Sequence, residues 1–244
     1  MALSVWFLVA LWIVAVLSGA TAAVVGFGIG SLLTPLLALR VGMPAAIAAI
    51  ALPHAAATAL RFWRLRHAVD WSVVRQFGLP SAAGGLAGAV LYARLGGREL
   101  TLTLASLLML TGVTGLTGIM TIWNSRPAAG VLGAISGFFG GLAGNQGGLR
   151  SAALLTFRLA PAAFVATATA TALLVDVART PVYLWRAGAE LMALWLPITL
   201  ATIGVLGGTL LGERILLGMT PDRFRRVVSV AILALGGLML VRAV

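Results

Sequence analysis

Seven apolar runs, each of about 20 residues, fill most of this chain: 3–25, 43–62, 71–93, 100–123, 162–185, 189–212 and 224–242. Coiled as a helix at ~1.5 Å per residue, such a run matches the ~30 Å hydrocarbon core of a bilayer. Lipid offers no partner to a backbone amide, so a helix, which satisfies its own, is the form these runs take. The connections between them are too short to hold a water-soluble catalytic domain. The expected fold is therefore all-α, a polytopic membrane helix bundle of about seven to eight spans in a single transmembrane domain over 1–244. Composition agrees: 61% of residues are hydrophobic and 9% charged.

Residues 128–159 are apolar but do not read as one span. They contain Gly140-Gly141-Leu142-Ala143-Gly144-Asn145-Gln146-Gly147-Gly148-Leu149-Arg150, a glycine-rich break carrying three polar side chains. Non-helical backbone survives at membrane depth only where it is buried in protein or lines a wet cavity. The arms 128–143 and 149–159 are each too short for a full crossing, so a re-entrant hairpin with the break at its tip is one arrangement. Two tilted spans and one broken helix are the others. The stretch 3–39 has the same ambiguous length, and Gly26-Phe27-Gly28-Ile29-Gly30 interrupts it.

The two breaks correspond. An offset of 118 lays Gly26–Gly30 over Gly144–Gly148, Leu36-Leu37 over Leu154-Leu155 and Arg40 over Arg158. One residue of slippage then matches Pro44 with Pro161, and Pro80 falls near Pro197. We expect two repeats, about 1–123 and 128–244, of inverted-repeat type, each opening with an interrupted helix. Transporters place their substrate between such elements. Rows of small residues at four-residue spacing (Gly84/Gly88, Gly133/Gly137/Gly141, Gly140/Gly144/Gly148 and Gly204/Gly208/Gly212) are expected to be helix-packing stripes.

The formal charge is +11, and all 17 basic residues are arginine. In a soluble protein this would point to nucleic acid. Here it is expected to set topology and contact anionic lipid, so no nucleic-acid partner is expected. Arg61, Arg64 and Arg66 form one cluster and Arg223, Arg225 and Arg226 another. Both face the cytoplasm if 128–159 enters and leaves on one side. The chain has no cysteine, which removes disulfides, thiolate catalysis and cysteine metal sites. The first 25 residues lack a positive leader and exceed a signal-peptide core, so they are expected to stay as the first span.

With these residues in view, the chain resembles the sulfite exporter TauE/SafE family, also called the toluene-sulfonate uptake permease family. The elements that carry the likeness are GFGIGSLLTPLLAL (26–39) and GGLAGNQGGLRSAALL (140–155). The second departs from the common pattern by carrying Asn145, Gln146 and Arg150 and by lacking the following proline. The resemblance implies a secondary transporter of sulfur-containing anions such as sulfite or sulfonates, in a cell inner membrane.

The residues themselves suit a small oxyanion. Gly26, Gly28, Gly30, Gly144, Gly147 and Gly148 bring backbone N–H groups to the breaks, and the helix starting near Leu149 points its positive end there. Asn145 and Gln146 add donors, and Arg150 offers a planar fork that fits carboxylate or sulfonate oxygens. Arg150 snorkelling to a headgroup is the bland alternative. Asp176 is the one carboxylate deep in an apolar run. Arg179, three residues on, shares its helix face, so the two form an ion pair or a site coupled to H+ or Na+. Thr167 and Thr171 can line a polar path beside them. His54 follows Pro53 mid-span. It either bonds the carbonyl that proline frees or joins the substrate site. Trp71, Trp123, Tyr183 and Trp185 read as interfacial anchors.

Enzyme signatures are missing. Ser136-Gly137 has Ala134 where a rhomboid-type serine site has glycine, and no phosphate loop or paired metal-ligand motif occurs. We expect no catalysis, cofactor or metal. An anion channel is the alternative function, and a membrane-embedded enzyme or assembly subunit a more remote one.

Overall fold

A computed structural model describes residues 3–117, 128–215 and 221–243. Helices account for nearly all of them: α1 (Val5–Val25), α2 (Ile29–Val41), α3 (Met43–Leu65), α4 (Trp71–Val73), α5 (Leu79–Tyr92), α6 (Gly97–Thr117), α7 (Ala129–Ala143), α8 (Gly147–Leu155), α9 (Pro161–Ala193), α10 (Trp195–Ile215) and α11 (Pro221–Ala243). The all-α class expected from the sequence is met, with no strand among the described residues. Trp6, Trp185 and Val241 are among many large apolar side chains on the outer surface. A water-soluble bundle does not expose apolar area on this scale, whereas lipid accepts it at no cost.

Local chemistry sets the helix ends. Ser4 caps α1 by accepting from the Phe7 amide, and Asp70 caps α4 by accepting from Ser72 and Val73. Prolines open α3, α5 and α9, where an amide hydrogen has no intrahelical partner to lose. The run 71–93 is divided by a π-helical turn, Val74–Gly78. Pro80 sits just beyond it and cannot donate to the Gln76 carbonyl, so the ladder widens there. Among the described residues, four helices are long and apolar enough to cross a bilayer: Val5–Ala23, Met43–Ala68, Ala162–Ala193 and Trp195–Gly212. Shorter apolar helices, including α2 and α7, make up much of the rest.

One boundary moves. The sequence divides two spans between residues 185 and 189, but α9 continues to Ala193 and only kinks at Ala187 (φ −122°, ψ 16°). The chain breaks instead at Leu194, ahead of Trp195. The expected span 100–123 runs past residue 117, so its last part and Trp123 lie outside the described residues.

Packing is reciprocal between the halves. Helix α5 lies against α7 and α1 against α10, while α3 meets α9 and α6 meets α11. Under the 118-residue offset α1 corresponds to α7, α2 to α8 and α3 to α9. The glycine contacts follow suit. A methyl group on Gly84 or Gly88 would strike the carbonyl of Ala134 or Phe138, and one on Gly208 or Gly212 would strike Val16 or Ala20. These contacts pair Gly84 with Gly208, a register 124 residues apart, and not the 117 that matching Pro80 with Pro197 gives. The row Gly140/Gly144/Gly148 is not a packing stripe: Gly144 ends α7, so the three do not share a helix face.

Helix α7 approaches α5 most closely at Gly137, where an added Cβ would lie 1.8 Å from the Ser81 carbonyl oxygen. Backbone cannot yield as a flexible side chain does, so Gly137→Ala forces the helices apart. We expect it to destabilise the purified protein by about 1–3 kcal/mol, in the range of core overpacking. A thermal unfolding temperature equal to wild type would show that this contact does not hold the halves together.

Candidate functional site

The two breaks meet. Helix α1 ends at Gly26 (φ 82°) and α7 at Gly144 (φ 71°), both left-handed, a conformation glycine adopts without strain. Each break lasts a few residues before α2 or α8 begins. A Cβ on Gly30 would lie 2.4 Å from the Gly144 carbonyl oxygen, and one on Gly147 would lie 2.1 Å from Phe27 Cβ. Gly28 packs on Thr21 and Gly148 on Thr111. The breaks are thus in backbone contact at the centre of the bundle.

Four helix ends converge there, and they are treated differently. The first residues of α2 and α8 leave N–H groups without intrahelical partners. Neither Gly28 nor Gln146 supplies a side-chain cap. These positive ends are open. The negative ends are closed by buried side chains: Arg179 Nη1 donates to the Gly140 carbonyl and Tyr183 Oη to the Gly141 carbonyl, both in the last turn of α7. In the other half Arg61 Nη1 donates to the Ala22 carbonyl in the last turn of α1. Arg61 and Ala22 sit 118 residues before Arg179 and Gly140, so one latch occurs twice. The positive dipole ends are left facing the gap while the negative ends are neutralised.

Arg150 is 1% exposed and donates through Nη2 to the Gly26 carbonyl of the opposite break at 2.9 Å. It therefore does not snorkel to a headgroup. Among the described residues its Nε and Nη1 have no partner, nor do Asn145 Nδ2 and the Nε2 and Oε1 of Gln146, so four orphaned donors stand beside one orphaned acceptor, all buried. An unsatisfied buried donor costs about 1–3 kcal/mol, and more when charged. Several at one place are what an absent acceptor leaves behind.

Asp176 anchors a second cluster. Its Oδ1 is 2.8 Å from Arg179 Nη2, the i,i+3 pair expected from the sequence. Its Oδ2 lies 2.8 Å from Nδ1 of His54, 122 residues away on α3. The carboxylate can only accept, so His54 is the Nδ1–H tautomer. His54 therefore bonds Asp176 and not the carbonyl freed by Pro53, and it ties α3 to α9. Tyr183 is not an interfacial anchor: it is buried and stands edge-on to Tyr92, with ring centroids 4.7 Å apart. Trp71 and Trp185 are exposed, as anchors should be. Thr167 accepts from the Asp70 amide at 3.0 Å and so secures a connection, whereas the Thr171 hydroxyl is buried without a partner.

The sequence groups Arg61 with Arg64 and Arg66 as a topology signal; its side chain is buried, 5% exposed, and serves the end of α1. Arg66 does behave as a surface residue, stacking 4.0 Å over the Trp63 ring. The signal that separates Arg61 from its neighbours was in the sequence: the 118-residue offset places it on Arg179. The side chains of Arg223 and Arg225 lie outside the described residues. No group of histidines and carboxylates suited to a metal occurs among the described residues.

The model of the family described as sulfite exporter TauE/SafE matches residues 11–239, nearly the whole chain. The chain belongs to that family. It is accordingly an integral membrane protein of a transporter family for sulfur-containing anions. Neither the comparison with curated proteins nor that with solved structures gives a match. In this TauE/SafE chain the polar second break, Asn145-Gln146 followed by Arg150, lies where the two interrupted helices touch.

Proposed function

We propose that this chain is a secondary carrier that exports a small sulfur oxyanion across a bacterial-type inner membrane. Its two halves, about 1–123 and 128–244, would act as inverted repeats. The anion is held where the breaks meet, by amides of Gly28–Gly30 and Gly144–Gly148, by Asn145 and Gln146, and by Arg150. The observation that carries this reading is the excess of buried positive charge at that point. Arg61, Arg150 and Arg179 are all buried, and Asp176 is the one buried carboxylate among the described residues. Charge enclosed in this way is costly unless paired, and an anionic substrate supplies the missing partner. Family membership names the anion class.

The direction follows from the membrane. With a negative interior, moving an anion outward is downhill by about 2.3 kcal/mol per charge per 100 mV, so export requires no coupled cation. Movement of one half against the other would expose the site to each side in turn. The reciprocal contacts of α1 with α10 and α5 with α7 support this, since each half rests on the other through the helix that precedes its break.

Counterflow tests the carrier reading. Proteoliposomes preloaded with unlabelled sulfite should take up external labelled sulfite transiently above equilibrium, with saturable kinetics. Flux that rises linearly with concentration and is not stimulated by internal sulfite would replace the carrier with a channel.

A further inference from the structure

Arg61 and Arg179 hold matching helix ends, but their surroundings differ in charge. Asp176 lies three positions before Arg179 and neutralises it. The matching position before Arg61 is Thr58, a buried hydroxyl 3.4 Å from Arg61 Nη2. Asp176 is already engaged on both oxygens, by Arg179 and His54. Arg61 therefore has no carboxylate of its own, and its Nε, like that of Arg179, has no partner among the described residues.

A second guanidinium stands beside it. Arg61 grips the Ala22 carbonyl in the last turn of α1, and Arg150 grips the carbonyl of Gly26, the left-handed residue that ends it. The Gly26 amide itself donates to the Ala22 carbonyl at 3.1 Å, so the two gripped residues touch. Two buried cations, reaching the end of α1 from α3 and from α8, thus act on one another, each with an unused N–H. Like charges enclosed together repel strongly in a medium of low dielectric. Among the described residues Asp176 is the one buried carboxylate that acts on both, and it is already held by Arg179 and His54.

We propose that Arg61 and Arg150 form a two-guanidinium clamp for an oxyanion of charge −2, with Arg61 the residue that selects two charges over one. The clamp rests on the reading of the breaks as an anion site and adds a specificity rule to it. One anion lying between the unused N–H groups can accept from both forks, and a second negative charge balances the second guanidinium. A monoanion leaves one cation uncompensated. The asymmetry between Thr58 and Asp176 is what makes the first half the charge-selecting side.

Sulfate and methanesulfonate test this, because both are tetrahedral and similar in size but differ by one charge at neutral pH. Affinities are measured by titration calorimetry on the purified full chain in detergent. Wild type should bind sulfate about tenfold or more tighter than methanesulfonate. In Arg61→Gln the preference should fall below about threefold, because sulfate affinity falls more than methanesulfonate affinity. Thr58→Asp gives Arg61 the carboxylate that Arg179 has and should erase the preference in the same way. It removes no cation, so it tests the clamp even if Arg61→Gln misfolds. Undiminished preference in either folded variant, or no preference in wild type, overturns the clamp but leaves the anion site standing. Failure of wild type to bind sulfate, methanesulfonate or sulfite overturns the anion site and the clamp together.

Discussion

Arg150→Ala should reduce sulfite efflux from proteoliposomes by on the order of 100-fold or more while the protein still folds. Losing one partner of a desolvated charge pair costs about 2–5 kcal/mol, which sets that scale. The folded state bears little of the loss. Without substrate the Arg150 guanidinium makes one hydrogen bond among the described residues, to the Gly26 carbonyl, and carries a buried charge with no carboxylate bound to it. Removing that charge should leave the unfolding temperature of the empty protein unchanged or slightly higher. Stabilisation by added sulfite should disappear. Arg150→Lys should recover only part of the transport, because an ammonium cannot bond the carbonyl and two anion oxygens with the planar fork's geometry. Efflux at the wild-type rate from Arg150→Ala vesicles would exclude a direct role.

Asp176→Asn should have the largest effect on stability. Arg179 would keep its bond to the Gly140 carbonyl but lose its only carboxylate, and His54 would lose its charged acceptor. Breaking a buried pair by removing one partner costs about 3–5 kcal/mol. Adding Arg179→Gln removes the orphaned charge and should restore most of that stability. Restoration should fall short, since the double variant abandons the Gly140 carbonyl at the end of α7. If Asp176 serves only to hold this cluster, the double variant should export sulfite near the wild-type rate with an unchanged pH profile. A stable double variant that exchanges sulfite but no longer responds to a pH gradient would assign Asp176 to proton coupling. Thermal unfolding and efflux on the same preparations separate these outcomes.

Much of this arrangement could be read before any coordinates. Glycine runs in an apolar chain mark backbone breaks, and the breaks at 26–28 and 144–146 fall where the sequence puts them. The i,i+3 geometry of Asp176 and Arg179 follows from helix periodicity alone. Pairing across the bundle did not follow. His54 lies 122 residues from Asp176, and no local pattern indicates that α3 and α9 bring them together. Proline's freed carbonyl offered a nearer partner, and the nearer partner was wrong. Arg61 and Tyr183 were misread for a related reason: arginines and tyrosines near span ends are ordinarily interfacial. What distinguishes these two is a helix C-terminus brought against them by tertiary packing. The end of α9 was hidden because Ala187 kinks the helix without ending it.

The most direct test is calorimetric titration of sulfite into the detergent-purified wild-type chain and into Arg150→Gln. The two proteins differ in one buried charge at the meeting point of the breaks. Saturable binding to wild type, weakened on the order of 100-fold or lost in a folded Arg150→Gln, is the predicted result. Equal affinity in the two proteins would contradict it and move the anion away from the breaks.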